Sequence, residues 1–451
     1  MALTARQLAI QVLRRVEEDG AYSHIALAAA LVASNLDERD RGLATELVYG
    51  TLAHQRTIDT VLGPFLKRPL DRLDTPVRLA LRLALYQLIY LDRIPAHAIV
   101  DEAVTMTKEE VGRGASGFVN GVLRTMLRRR KEWKPFEPAD RARRPERYLG
   151  QRYSLPDWIA QRLVHLEGLE RAEALAESFN RRPPLYLRAL RPDESVLPEG
   201  IEMVPHIPGA LRAAGFSDAV RKGLEEFRWV VQDLGSQLIA HYTEPPTKGH
   251  GELTYILDGC AGLGGKTLHL ATATDESTLI DAVEPMATKL GMLEDVLSHT
   301  PHRDRVTLHV ATLQDFLATR DTLYDRVLID APCTGLGVLR RHPETRWRRT
   351  QADIDSLVEL QRELLDAAAK RVRPGGVLVY SVCTFIAEEG PGQISQFLNK
   401  HANFQRWKPT SSPLDWSPYT DKSGDLRLTP LDHDSDAFYA ARLVRSQDKT
   451  S

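Results

Sequence analysis

The chain holds only three cysteines in 451 residues. Each closes an apolar run: "YILDGCAG" (255–262), "VLIDAPCTG" (327–335) and "VLVYSVCTF" (377–385). Free cysteines are most often small buried hydrophobes, but two at successive run ends, with Asp330 and Pro332 beside Cys333, point elsewhere. Zinc ligation is disfavoured, because there is no Cys-x-x-Cys pair, and His342 lies in a basic segment away from Cys333. A disulfide framework is disfavoured by the odd count and wide spacing. What remains is thiolate attack on an electrophilic carbon. Methylation at C5 of cytosine needs this chemistry, because that ring carbon is a poor nucleophile. A thiolate adding to C6 turns C5 into an enamine carbon that can attack a sulfonium methyl group. An acid on the N3 edge would stabilise the adduct, and the thiol must later be eliminated. Cys333, Cys383 and Asp330 suit that scheme.

The first of the three runs leads into "LDGCAGLGGKT" (257–267). A phosphate-cradling loop would need Gly where Cys260 stands, and a dinucleotide fingerprint would need Gly where Thr267 stands. Both patterns fail by one residue. The loop is still a glycine-dense turn between a strand and a helix, suited to close approach of a ligand. The next apolar run ends in Glu284, where a carboxylate can accept hydrogen bonds from a ribose diol. A nucleoside-containing cofactor is therefore expected.

The elements that must position these residues are legible from about residue 230. The runs "YILDGC", "LIDAVEP", "VTLHVA", "DRVLIDAP" and "GGVLVYSV" alternate with helical stretches at 266–275, 286–299 and 353–372. Apolar strands alternating with helices predict a doubly wound parallel sheet, with "AFYAARLVRS" (437–446) closing it. In such a sheet the strands ending at Cys333 and Cys383 are neighbours, and ligands bind beyond the carboxyl ends of the strands. Residues 1–133 read as an all-helical bundle. Its first helix carries a capping box at Thr4 and Gln7, and the very apolar 75–91 lies at its centre. Residues 134–155 read as a linker, 154–180 as helical again and 184–190 as a strand, so 134–229 forms a linker and a small α/β element. Residues 230–451 form the catalytic domain.

Composition is that of an ordinary globular protein, 43% apolar and 27% charged. No stretch approaches the roughly 18 apolar residues of a membrane span. The N-terminus lacks the features of a signal peptide, so a cytoplasmic protein that touches no membrane is expected. The net charge of −2 excludes a global basic field, and nucleic-acid binding must come from local patches. Two are candidates. One is the helix end at Arg128, Arg129 and Arg130. The other is "VLRRHPETRWRR" (338–349), with Arg340, Arg341 and Arg346 as phosphate contacts and Trp347 packing or stacking.

Together, "LDGCAGLGGKT", "LIDAPCTGLGVLRRHPETRWRR" and "YSVCTFIAEEG" resemble motifs of the NOL1/NOP2/Sun family of RNA 5-methylcytosine methyltransferases. The helical N-terminus, with "SGFVNGVLRTMLRR" (116–129), resembles the NusB-type RNA-binding domain of the bacterial Sun branch. The resemblance implies a multidomain protein with a Rossmann-like domain that uses S-adenosylmethionine. The substrate it implies is RNA, most specifically 16S rRNA. It casts Cys383 as the nucleophile on C6 and Cys333 as the residue that assists adduct breakdown. Asp330 faces cofactor and base. The loop Cys260, Ala261, Gly262, Leu263, Gly264, Gly265 and Lys266 holds the cofactor. Lys266 also structures the active site, and Glu284 binds the ribose. No metal is implied, and a monomer is expected.

The sequence departs from the family at three points. Gly262 and Leu263 replace Ala-Pro, and Glu284 replaces Asp. Thr312 stands where an acid near the adenine is expected, with Asp315 three residues late. A non-catalytic RNA-binding or assembly factor is the main alternative, against which the intact cysteines speak. A methyltransferase for another substrate class also stays open.

Overall fold

The computed structural model describes residues 3–135, 137, 140–190, 197–244, 252–408, 412 and 414–447. The chain forms two compact units. One comprises Met1–Arg182 and Leu339–Arg348; the other comprises Pro183–Val338 and Arg349–Ser451.

The first unit is helical. Its opening helix, Ala5–Glu18, starts with a complete Thr4/Gln7 capping box. The helix Thr75–Tyr90 is buried nearly all round, which is why its sequence shows little amphipathic contrast. Its one buried cation, Arg82, is matched by Asp59 at 2.8 Å and Glu17 at 3.2 Å. Ala96–Glu110 and Arg113–Arg128 complete the bundle core.

One expectation is corrected here. The stretch expected as a linker is helical, over Asp140–Arg143 and Pro145–Tyr153. Its charges belong to local pairs, Arg144 with Asp140 and Arg141 with Glu173, each at 2.8 Å, while Tyr148, Leu149 and Tyr153 are buried. The helical reading of 154–180 holds, as two helices, Asp157–Glu167 and Leu169–Ser178, parted at Gly168 with φ +73°.

The second unit begins with a small antiparallel sheet of β1 (Leu185–Ala189), β2 (Ile201–Met203), β3 (Ala210–Ala213) and β4 (Trp229–Val231), in the order β2-β3-β1-β4. It covers the part of 191–229 expected to be a mixed element, apart from 191–196, which lie outside the described residues. The main sheet follows. Its strands are β5 (Thr254–Asp258), β6 (Thr278–Val283), β7 (Val306–His309), β8 (Tyr324–Asp330), β9 (Val372–Val382), β10 (Phe404–Arg406), β11 (Leu426–Leu428) and β12 (Phe438–Arg445). The order is β10-β12-β9-β8-β5-β6-β7, with β11 paired to β12. Strands β5 to β9 run parallel and β12 returns antiparallel. Helices cover both faces of the sheet and bury two separate apolar layers. The strand order reverses at β5/β8, so the crevice for a ligand opens beyond Asp258 and Asp330.

Candidate active site

The register of β8 against β9 places Asp330 opposite Ser381. Two or three residues further on, each strand has become a loop that carries a cysteine. The sulfurs of Cys333 and Cys383 are 3.3 Å apart, within hydrogen-bond reach, and both thiols are free. Gly337 allows this packing. Its N–H donates to the Cys383 carbonyl at 2.9 Å and its carbonyl accepts from Ala437 N–H at 3.0 Å. A Cβ there would lie 2.0 Å from the Ala437 oxygen, so no other residue fits without moving a strand end.

Beneath the thiols lies an ion pair. Lys266 Nζ is 2.6 Å from Asp330 Oδ2, and Ser381 Oγ donates to Asp330 Oδ1 at 2.7 Å. Burial pulls the Lys266 ammonium toward deprotonation. Asp330, by charge and hydrogen bond, and the nearby Cys383 sulfur outweigh it, so its pKa is raised and it stays charged. Lys266 also sits 5.5 Å from the centre of the Phe438 ring. Cys333 is held far toward the thiol form. The hydrogen bond with Cys383 is the first cause, burial the second, and the charges of Cys383 and Glu389 follow. The two cysteines therefore sit in different surroundings: Cys383 lies near the Lys266 ammonium, and burial together with Glu389 holds Cys333 toward the thiol form.

Cys260 is different. It lies two residues past β5, beyond the buried Asp258, and burial with the charges of Asp258, Asp330 and Glu284 pushes its thiol up. It is placed to shape the loop rather than to attack. Asp258 accepts from Thr267 Oγ1 at 2.7 Å, and burial lifts its pKa to about 6.

The loop Cys260–Lys266 turns through Gly262 and Gly264, with φ +56° and +80°. A Cβ on Gly264 would come within 2.4 Å of Leu293. Ala261 is buried, Leu263 is exposed, and Gly265 opens the helix Gly265–Ala273. Glu284, at the end of β6, is 6% exposed. Its Oε1 accepts from Met286 N–H at 3.1 Å and from Lys289 Nζ at 3.3 Å. A left-handed glycine turn next to a strand-end carboxylate is a donor and acceptor set that fits a nucleoside. Thr312 and Asp315 bind each other, Thr312 capping the helix Leu313–Ala318.

The candidate RNA contacts divide. Arg128, Arg129 and Arg130 are exposed at the end of Arg113–Arg128. Arg129 pairs with Glu132, and Arg130 donates to the Leu88 carbonyl at 3.1 Å. In the 338–349 segment the expectation is corrected. Arg346 is wholly buried in the first unit and donates to the carbonyls of Ala53 and Ser154, each at 3.1 Å, and to Asn180 Oδ1 at 2.9 Å. The two carbonyls lie at helix ends, where the last carbonyls lack intrahelical donors. Arg340 is 7% exposed, and Arg341 is half-buried. Trp347 Nε1 donates to the Leu52 carbonyl at 3.3 Å, so it packs rather than stacks on a base. Beside it His24, His342 and Glu344 lie with ligand atoms within 4.8 Å of one another. Glu344, however, already accepts from Ser23 N–H and Oγ, at 3.0 and 2.8 Å.

The comparisons decide the family. Residues 248–444 match the family described as 16S rRNA methyltransferase RsmB/F, and residues 3–128 match the NusB family. The probable ribosomal RNA small subunit methyltransferase B of Synechocystis is 33% identical, over 98% of this chain and all of that protein. The ribosomal RNA small subunit methyltransferase B of Erwinia tasmaniensis is 31% identical, over 98% of each chain. The chain belongs to the Sun/RsmB family of small-subunit rRNA methyltransferases. Among solved structures, PH0851 shares the fold over 98% of this chain, with TM-score 0.80 and 24% identity. NSun6 from Pyrococcus horikoshii, solved with SFG, matches over 65% of this chain and 99% of its own, with TM-score 0.56 and 21% identity. The RsmB/F match spans every thiol, the ion pair and the glycine loop.

Sequence reasoning missed the partners that hold these RsmB-type thiols. Ser381 is one. The others are Thr334 and Thr384, whose hydroxyls meet at 3.0 Å. A signal was present: both later cysteines are followed by threonine, in "PCTG" and "VCTF".

Proposed function

We propose that the protein transfers a methyl group from S-adenosylmethionine to C5 of a cytosine in 16S rRNA, through a covalent adduct between Cys383 and C6. The observation that carries this reading is the pair of thiols at 3.3 Å beside the Lys266–Asp330 pair, at the ends of neighbouring parallel strands. Cys383, in the field of Lys266, supplies the thiolate, and its sulfur bonds to C6 as the ring π pair shifts toward C5. The Lys266 ammonium, paired with Asp330, faces the charge that builds on N3. S-adenosylmethionine held by the loop Cys260–Lys266 with its ribose hydroxyls on Glu284 would supply an electrophilic methyl group, C5 bonding to it as the methyl–sulfur bond breaks and S-adenosylhomocysteine leaves. The C5 proton then passes to water and the C6–sulfur bond breaks. Cys333, holding its proton, donates a hydrogen bond to the departing Cys383 thiolate and speeds release. The target base must leave any stack to reach this crevice. The exposed Arg128–Arg130 end binds RNA phosphates, and the chemistry calls for neither a metal nor a second subunit. The protein works in the cytoplasm, where its rRNA substrate is made.

The test is incubation of unmodified small-subunit rRNA with methyl-labelled S-adenosylmethionine and three proteins. Wild type is expected to label cytosine at C5. Cys383→Ala should be dead, and Cys333→Ala should accumulate a covalent RNA–protein species. An adduct with Cys383→Ala instead would reverse the roles. Cofactor binding without any labelling would favour a non-catalytic assembly factor.

A further inference from the structure

Behind the two thiols sits a buried carboxylate that the chemistry above does not use. Glu389 is 0% exposed. Its Oε1 accepts from Thr334 N–H at 2.8 Å and from Gln361 Nε2 at 3.0 Å. Its Oε2 accepts from Thr334 Oγ1 at 2.6 Å. No lysine or arginine pairs with it among the described residues, so three hydrogen bonds carry the whole cost of its burial. Its partners flank the cysteines. Gln361 Nε2 also donates to the Pro332 carbonyl at 2.9 Å, so the peptide groups on both sides of Cys333 are tied to Glu389 and Gln361. Gln361 is itself held by Gln393 at 3.2 Å. The Thr334 hydroxyl meets the Thr384 hydroxyl at 3.0 Å, and Thr384 follows Cys383. Thr384 Oγ1 also accepts Ile386 N–H at 3.2 Å, which fixes the loop that leads to Glu389. One carboxylate therefore connects to both thiol loops in one or two hydrogen bonds.

We propose that Glu389 is the positioning residue of the thiol pair: it sets the separation of Cys333 and Cys383, and its charge keeps Cys333 as the hydrogen-bond donor and Cys383 as the attacking sulfur. This rests on the roles given to the two cysteines above. Charged and titratable groups around the pair, among the described residues, include Lys266, Asp330, Tyr380, Cys260 and Arg349. Lys266 and Asp330 form their own pair on the Cys383 side. Tyr380 turns its hydroxyl to the Glu389 carbonyl at 2.6 Å, and Arg349 donates to the Thr334 carbonyl at 2.8 Å. Glu389 is thus the nearby anion on the Cys333 side, and its charge is among the causes that hold Cys333 in the thiol form.

Glu389→Gln separates charge from geometry, because an amide oxygen still accepts the Thr334 N–H while the charge is gone. Three readouts apply to the full-length chain. The first is alkylation of Cys333 and Cys383 by iodoacetamide against pH, resolved by mass spectrometry, which needs no RNA. The second is kcat and KM on unmodified small-subunit rRNA. The third is the fraction of covalent RNA–protein adduct. In Glu389→Gln the pH midpoint of Cys333 alkylation is expected to fall by about one unit. Its kcat should drop roughly 10- to 100-fold with KM for S-adenosylmethionine within about twofold, and adduct should accumulate. An unmoved alkylation midpoint with wild-type kcat overturns the proposal. So does a uniform loss of both reactivities with a lowered melting temperature, since that is a merely structural role. If Glu389→Gln does not fold, Thr334→Val cuts the hydroxyl link alone; the same accumulation of adduct is expected, and wild-type turnover overturns the proposal. Wild type that never labels RNA while the alkylation shift is present sinks the functional reading and leaves the positioning role standing.

Discussion

Arg346 and Lys266 are both buried cations, yet they are accommodated in different ways. In the helical unit Arg346 has no carboxylate within salt-bridge reach among the described residues. Helix-end carbonyls at Ala53 and Ser154 and the amide oxygen of Asn180 take its place. In the catalytic unit Lys266 has a full ion pair with Asp330. The first arrangement spends a cation on dipoles and only holds structure. The second holds an ammonium against a carboxylate at 2.6 Å beside the thiols, and that is where chemistry is expected. A buried charge with carbonyl partners is a staple; a buried charge with a titratable partner is a candidate reagent.

The comparison can be broken most forcefully at the reagent. Cys383→Ala should lower methyl transfer by at least about a thousandfold, since the neighbouring Cys333 is held as the thiol and is a poor substitute nucleophile. Retained turnover in a labelling assay would reduce the thiol pair to packing. The next largest effect concerns the staple. Arg346→Met leaves helix-end carbonyls without donors and should cost about 3 kcal/mol of stability in a chemical melt. Its effect on the salt dependence of RNA binding should be nil; a changed salt slope with unchanged stability would return Arg346 to the RNA contacts.

Protonation sharpens the contrast, because one buried group in each unit responds to acid with opposite sign. Burial, helped by Arg346, lowers His54 to about 4. The unfolded histidine binds a proton near pH 6.5, so the helical unit should lose about 3 kcal/mol as pH falls from 6.5 to 4. His54→Phe, which keeps the stack on Tyr90 at 4.1 Å, should flatten that slope. Asp258 is raised from 3.8 to about 6. The folded state then binds more protons, so its ionisation penalty of about 3 kcal/mol is present above pH 6 and relieved as pH falls toward 3.8. The stability gained by Asp258→Asn should therefore shrink from pH 7 to pH 4. Matching slopes in the two variants would undo the contrast. The smallest effect is at the surface. Arg128→Glu with Arg130→Glu should weaken RNA binding about tenfold and flatten its salt slope, with turnover on bound RNA unchanged.

The parallel sheet and the adjacency of the Cys333 and Cys383 loops were legible, because continuous apolar runs between helices leave few topologies open. The ion pair of Lys266 with Asp330 was named by residue but not by contact. The segment around Arg346 was misread for a physical reason. Arginine density looks the same whether guanidiniums face phosphate or cap helices, and only tertiary structure reveals two helix ends converging on one side chain. Residues 134–155 misled in the same way, since Arg and Glu that pair across helices have the composition of a linker. The threonines after the two cysteines went unread because a hydroxyl pair joining two loops has no spacing rule.

The excursion of Leu339–Arg348 into the helical unit has a temporal consequence. A ribosome finishes Arg182 long before it reaches Arg348, 166 residues later. At about 5–20 residues per second that gap lasts roughly 10 to 30 s. Through that interval the nascent bundle holds a socket of helix-end carbonyls with no guanidinium to fill it. The bundle that emerges first is among the last parts to be completed, and its completion reports that the loop carrying Cys333 has already been synthesised.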